Sequence, residues 1–315
     1  MILRERPRGW QLFFVLRGSI LTRIRGVLLV NVLLAVVVTA AHQALASHHA
    51  VLVSTIPFTL MGLPLAIFLG FRNSACYDRF WEARKLWGEL LLRSRNLARQ
   101  ALHLIDLPAP PPGPRDLADV RVRLVLRTLA FCVTLKHLLR DRPADDTGLD
   151  GLLQRDERLA LAGAANRPAT LMMNMGADLA RCRRDGSLDS LRALQIDDTL
   201  SALTAAAAGC ERIRNTPLPF SYALLLHRTA YLYCFLLPFG LVDSIGLMTP
   251  LVVAIVAYTF FGLDALGDEI EEPFGLLAND LPLDAICRGI EIDLRQALGD
   301  ADTPPALKPV DYLLL

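Results

Sequence analysis

The sequence predicts an all-α membrane protein: four transmembrane helices per subunit, with long helices extending into a cytoplasmic helical domain. Three observations lead there. The 315 residues are 53% hydrophobic and 21% charged, whereas soluble chains run at about 45–50% apolar and about 25% charged; mean hydropathy is +0.38. The apolar excess is concentrated in four runs, each near the roughly 20 residues that a bilayer crossing needs. Two of these runs continue into charged helical sequence, the one that meets Arg72 without any helix-ending signal.

Taken in order, residues 1–25 interleave Arg4, Arg6, Arg8, Arg17, Arg23 and Arg25 with Trp10, Phe13 and Phe14. Aromatics at headgroup depth and arginines toward phosphate suit an interfacial segment. A nucleic-acid role is set aside because a membrane span follows at once. Span 1 is expected from about Gly26 to Ser47, and Ser47-His48-His49-Ala50 reads as a solvated turn. Two adjacent histidines without a third ligand make a poor metal site. Span 2 begins at Val51 and runs apolar to Phe71, then continues as charged, aromatic-rich helix to His103.

Leu107-Pro-Ala-Pro-Pro-Pro-Gly-Pro114 is a stiff linker. A helix from near Asp116 to Arg140 follows; Arg121, Arg123, Arg127 and Lys136 on its flanks mark it as soluble and amphipathic. Further helices are expected over about 150–164, 167–184 and 187–213, with Asp185-Gly186 as a sharp turn. The chain re-enters the membrane at Asn215-Thr-Pro-Leu-Pro-Phe220. Span 3 covers about 221–245, Gly246 to Pro250 forms a tip, and span 4 covers 251–266 before continuing through acidic residues to Pro273. The expected divisions are therefore 1–25, 26–71, 72–220, 221–266 and 267–315.

Charge sets the topology. The two tips, 43–50 and 243–250, hold no Lys or Arg, while the other connecting segments carry essentially all of the 33 basic residues. By the positive-inside rule both termini and the central region are cytoplasmic. The six cysteines show no paired spacing and are expected to be buried thiols, with no metal site. No nucleophile, zinc or phosphate-loop motif is present, so no enzyme is expected and no cofactor is implied.

Span 2 carries the one pattern with functional content. Gly62, Ala66 and Gly70 recur every four residues, a small stripe that allows close helix packing. Beside it run Leu63, Ile67 and Phe71. If the small stripe packs against neighbouring copies, the bulky stripe can surround an axis as a hydrophobic constriction that gates by dewetting. The same periodicity fits residues facing lipid or another span, and spacing alone does not separate the two.

Phe71-Arg-Asn-Ser-Ala-Cys-Tyr-Asp-Arg-Phe-Trp-Glu-Ala-Arg-Lys-Leu-Trp-Gly88 resembles the bacterial branch of the bestrophin family. So do Gly209-Cys-Glu-Arg212 with Thr216-Pro-Leu-Pro-Phe-Ser-Tyr222, and Asp268-Glu-Ile-Glu-Glu-Pro-Phe-Gly275 with Ala278-Asn-Asp-Leu-Pro282. The resemblance implies a homopentamer in the lipid bilayer that passes monovalent ions through one axial pore. Carried across, the pore neck is Leu63, Ile67 and Phe71, and the cytoplasmic exit constriction is Leu191, with Asp189 and Ser190 beside it. Bacterial members usually have isoleucine at the first neck position and at the exit, where this chain has leucine. Pro64 is a further departure and predicts a local kink.

Animal members follow the Pro-Phe-Gly element with an acidic run that clasps Ca²⁺; here only Asp280 follows. Ca²⁺ wants six to eight oxygens, so no calcium activation is expected. Animal members conduct anions and bacterial-type members have been regarded as cation-conducting. Asp189, Asp197 and Asp198 lie near the exit, whereas Arg72 and Arg79 after the neck have candidate partners in Asp78 and Glu82 on the same helix, so the expectation is monovalent cations. The alternatives are chloride conduction or a non-conducting scaffold whose cytoplasmic domain binds a partner.

Overall fold

The computed structural model describes residues 1–4, 9–10, 15, 18–45, 55–111, 113–142 and 146–315. The Ser47–Ala50 turn, with both histidines, and the first residues of span 2 lie outside the described residues. The described chain is helical, with two isolated β-bridges (Ile2–Leu313 and Val310–Leu313) near its ends. It divides into two compact units, one of residues 4–80 and 217–272, the other of 1–3, 81–216 and 273–315.

The first unit holds α1 (Leu21–Leu45), the first half of α2 (Ile56–Leu104), α7 (Phe220–Ile245) and α8 (Thr249–Glu271). Helix α1 starts five residues before the expected span, because Ser19 supplies a cap: its Oγ accepts the Leu21 N–H at 3.2 Å. Three stretches are long and apolar enough to cross a membrane: Leu21–Ala44, Ile56–Leu104 and Phe220–Glu271. The third comprises α7 and α8, separated by a single 3-10 turn at Gly246–Met248. Gly246 takes φ +51°, which a residue with a Cβ rarely adopts.

The core of this unit joins Leu65 of α2 to Ala230, Tyr233, Cys234 and Leu237 of α7 and Val253, Ala257 and Phe261 of α8. Buried Asn31 of α1 donates from Nδ2 to the Cys234 carbonyl at 2.9 Å, tying α1 to α7, while its Oδ1 has no hydrogen-bond partner among the described residues. Outward-facing Leu29, Leu33, Val37, Leu232, Leu251 and Ile255 remain exposed. That much apolar surface belongs against lipid or neighbouring protein.

Helix α2 runs unbroken for 49 residues through Pro64, about 73 Å at 1.5 Å per residue. The span and its polar continuation are thus one element, as the lack of a stop signal implied.

The second unit holds the rest of α2 with α3 (Val120–Leu139), α4 (Arg155–Ala162), α5 (Arg167–Arg184), α6 (Ser190–Asn215) and α9 (Leu283–Ala297). The caps explain the starts. Asp119 accepts from Arg121 N, Asn166 from Ala169 N, and Asp189 from Leu191 N and Arg192 N. The expected 150–164 helix is shorter than the pattern suggested, with α4 confined to 155–162. All six cysteines are free and buried.

Helix α3 is not the solvent-washed amphipathic helix expected from its arginines. It is buried nearly all round, Arg121, Arg123 and Arg127 included. Arg121 Nη2 donates to its cap Asp119 at 2.6 Å. Arg123 forks onto both oxygens of Asp178 at 2.8 and 3.1 Å, and Arg127 donates to Asp178 and to Glu157, each at 2.6 Å. Buried guanidinium groups persist because each meets a carboxylate in hydrogen-bonding geometry.

Burial pushes the Asp178 carboxyl up, but the Arg123 and Arg127 guanidiniums outweigh it and hold the group below the usual carboxylate range. A depressed carboxylate contributes stability that is complete above its unfolded pKa of about 3.9 and is lost as pH falls through the lower folded value. Asp178→Asn leaves two buried arginines short of a charge partner, a loss of about 3–5 kcal/mol. The variant should melt at lower temperature at pH 7, and the gap to wild type should narrow below about pH 4; circular dichroism in detergent reads both.

Candidate functional site

Helix α2 has one anchored face and one open face. The anchored face reads Leu65, Leu69, Arg72 and Cys76, all nearly inaccessible. Leu63, Ile67 and Phe71 lie on the other side of the helix, 67%, 47% and 63% exposed. The three expected neck residues therefore share one face, available to something outside the single chain. Phe71 also meets Phe68 edge-on, ring centroids 6.4 Å apart.

The small stripe is split. A Cβ on Gly62 would lie 2.8 Å from the Tyr233 hydroxyl, so Gly62 serves packing against α7 of its own subunit. Ala66 and Gly70 stay exposed, and only they remain for contact between copies. Nearer the helix start, a Cβ on Gly240 of α7 would lie 2.2 Å from two Phe58 ring carbons. Bare backbone at position 240 is what lets α2 approach.

One residue past Phe71, Arg72 is 1% exposed. Its Nη1 donates to Asp264 Oδ1 at 2.7 Å, its Nη2 donates to Asp268 Oδ1, and Glu271 Oε2 lies 3.8 Å away. The three acids stand at i, i+4 and i+7 on α8, one face of the helix. Asp264 is itself 2% exposed, and its second oxygen is 2.6 Å from His227 Nδ1 on α7. His227 stacks on Tyr231 at 4.3 Å, and Arg23 of α1 reaches Asp268 at 3.8 Å. Arg79, the next arginine, donates from Nε to the Glu271 carbonyl at 3.2 Å.

Same-helix partners Asp78 and Glu82 had been the expectation for Arg72 and Arg79. The structure instead pairs Arg72 with α8, and Glu82 with Arg212. This polar cluster is the feature that sequence reasoning missed. Its signal was present in Asp264, an acid inside an apolar run, since an ionisable residue within a membrane segment defaults to function.

The exit residues sit together in the second unit. Gly186, at φ +75°, turns the chain between α5 and α6. Asp189 Oδ1 caps α6 by accepting Leu191 N at 2.8 Å and Arg192 N at 3.0 Å, bonds that hold its carboxyl below the usual range. Ser190 is exposed beside it, and Leu191 is 76% exposed. Arg192 Nη1 contacts Asp106 at 2.5 Å and its Nε contacts Asp189 at 3.1 Å. Asp197 and Asp198 are exposed further along α6. Asp280, the acid after the Pro-Phe-Gly element, is 2% exposed and accepts the Leu277 N–H at 2.6 Å.

A family profile described as Bacterial/Fungal Bestrophin protein matches residues 1–296. The chain belongs to the bestrophin family. Among bestrophin relatives it is 44% identical over 312 residues to the voltage-dependent anion channel-forming protein mll4386 of Mesorhizobium japonicum, covering 99% of this chain and 96% of that one. It is 41% identical over 310 residues to the voltage-dependent anion channel-forming protein YneE of Escherichia coli K12, covering 98% of both. A crystal structure of a bacterial bestrophin homolog from Klebsiella pneumoniae, carrying a point mutation, superposes with TM-score 0.80 at 38% identity; the match covers 88% of this chain and 99% of that one. The helical fold and the bestrophin resemblance of the three motifs are thereby established.

Bestrophin membership leaves the packing of α2 to this chain's own residues. Gly240→Ala drives a methyl into a ring edge that has no flexible end to yield. An overpacked core typically loses about 1–3 kcal/mol. The variant should lower the melting temperature of the detergent-solubilised protein, and Phe58→Leu in the same chain should restore part of the loss.

Proposed function

We propose that this bestrophin forms a homopentameric channel for monovalent ions, with α2 of each copy lining one axial pore. The observation that carries this reading is the two-faced α2. One side is locked into its own subunit, and the other presents Leu63, Ile67 and Phe71 unburied. Five such faces make three apolar rings, a constriction that water wets reluctantly and that an ion crosses only when it widens. Leu191 of each copy forms a second apolar ring at the cytoplasmic exit. Each subunit crosses the bacterial inner membrane four times, through α1, the start of α2, α7 and α8. Residues 1–25 lie at the interface, the spans fall within 26–71 and 221–266, and 72–220 and 267–315 are cytoplasmic. Asp280 uses one oxygen in its own turn, which supports a channel that Ca²⁺ does not activate at this position.

The permeant ion is read as a cation from the charges beside the exit. Asp106 and Asp189 share Arg192, and with Asp185, Asp197 and Asp198 they set five carboxylates against four guanidiniums, Arg192 and the exposed Arg181, Arg183 and Arg184 at the end of α5, an excess of one negative charge per copy. Fivefold repetition concentrates that potential where ions leave. A second reading, chloride or another small anion, is favoured by the printed names of the curated relatives, which call them anion channel-forming. Reconstituted protein under asymmetric NaCl decides between them by the sign of the reversal potential. A cation-sided potential that shrinks toward zero in Asp189→Asn upholds the first reading, and an anion-sided one replaces it with the second.

Alanine at Leu63, Ile67 or Phe71 should raise single-channel conductance at least twofold, most at the bulky Phe71, with the oligomer unchanged on size exclusion. Wild-type protein without ion flux, or three variants without effect, would reject the pore assignment in favour of a membrane-anchored scaffold.

A further inference from the structure

We infer that Arg72 is the positioning residue of the neck, holding the Phe71 turn of α2 in register through an ion pair buried among α2, α7 and α8. The inference rests on the reading of Phe71 as a neck residue and adds what fixes that residue in place.

Four observations converge. Arg72 adjoins Phe71 in the chain, about 100° further round the helix, and is buried where Phe71 is exposed, so any rotation of this turn moves both side chains together. Its guanidinium is nearly sealed from solvent and divides its donors between Asp264 and Asp268. A turn of one helical step would separate at least one of these bonds, and at Asp264, which is buried, the lost partner is costly to replace. Asp264 is held from its far side by His227, which ties the pair to α7. Gly267, between the two acids, leaves no slack: a Cβ there would lie 2.5 Å from Asn73 Oδ1 and 3.6 Å from Arg72 Cζ. The bare backbone of α8 at Gly267 thus seats the Asn73 and Arg72 side chains where the charge is paired. An apolar contact slides, whereas a fork of hydrogen bonds on two carboxylates has one geometry. Phe71 takes its angle from that fork.

The test is a double-mutant cycle on reconstituted full-length protein, read as single-channel conductance, with size exclusion confirming the oligomer. Arg72→Gln should raise conductance at least threefold. In the Phe71→Ala background the same substitution should change it less than 1.5-fold, because the ring that Arg72 positions is gone. A purely structural role moves conductance equally in both backgrounds, and that result overturns the inference, as does no change from Arg72→Gln in an intact oligomer. Should Arg72→Gln fail to assemble, Asp268→Asn removes the half-exposed partner and takes its place in the cycle under the same criteria. The two readings fail separately. Phe71→Ala without effect on conductance rejects the neck itself and this inference with it, while Phe71→Ala with an effect but no coupling rejects only the role of Arg72.

Discussion

A guanidinium inside an apolar helix bundle is tolerated only where carboxylates meet it, and Arg72 sets the terms for the membrane unit. Moving a charged group out of water costs several kcal/mol even after relaxation, and paired charge with hydrogen bonds offsets it. Asp264 and Asp268 must therefore lie on the face of α8 that meets Arg72, and Gly267 between them leaves room for the Arg72 and Asn73 side chains. His227 then occupies the remaining oxygen of Asp264 and brings α7 into the same contact. Once these contacts hold, Leu65 and Leu69 are turned into the core and Leu63, Ile67 and Phe71 are turned out of it. The open apolar face is the geometrical complement of the buried charge.

Elements whose signals are local were legible in the residues. The continuity of α2 through Phe71 and Arg72 followed from the absence of a stop signal, and the Asp185-Gly186 turn followed from a residue able to take positive φ. Helix α5 began at its Asn166 cap and Pro168. The three apolar side chains of the neck stripe were found by spacing, and the structure puts them on one face. What spacing left open was whether that face belongs to a pore or to lipid; family membership, carried by motifs in order along the chain, weighs toward the pore.

Features that depend on partners distant in sequence were misread, and all for one reason. Arg123 and Arg127 looked like a solvated flank because their partner Asp178 lies more than fifty residues away, on a helix whose packing no local pattern announces. Arg72 was given same-helix partners because i, i+4 pairs are what a sequence displays, yet its acids are nearly two hundred residues off. Gly62 was counted with Ala66 and Gly70 as a surface for neighbouring copies because the three share a period, but Tyr233 already fills the space over it. Periodicity reports which residues share a side of a helix. It does not report what stands opposite, and charges and glycines draw their meaning from the opposite side.

The same distinction bears on ion selection. The charges nearest the neck in sequence, Arg72 with Arg23 and Arg79 on one side and Asp264, Asp268 and Glu271 on the other, stand three against three within a few ångströms. A closely paired set projects little field beyond itself, so their strength as neighbours makes them weak as selectors. They serve geometry. Charge that acts on a passing ion must face water and exceed its local counter-charge; the exposed carboxylates of α6 meet the first condition, and the proposed cation pathway requires the second. An apolar neck adds no sign of its own; it sets how wide the path is. On the proposed reading width and sign therefore fall to different residues, the first to an aromatic ring held from behind by a buried arginine, the second to water-facing charges near the exit.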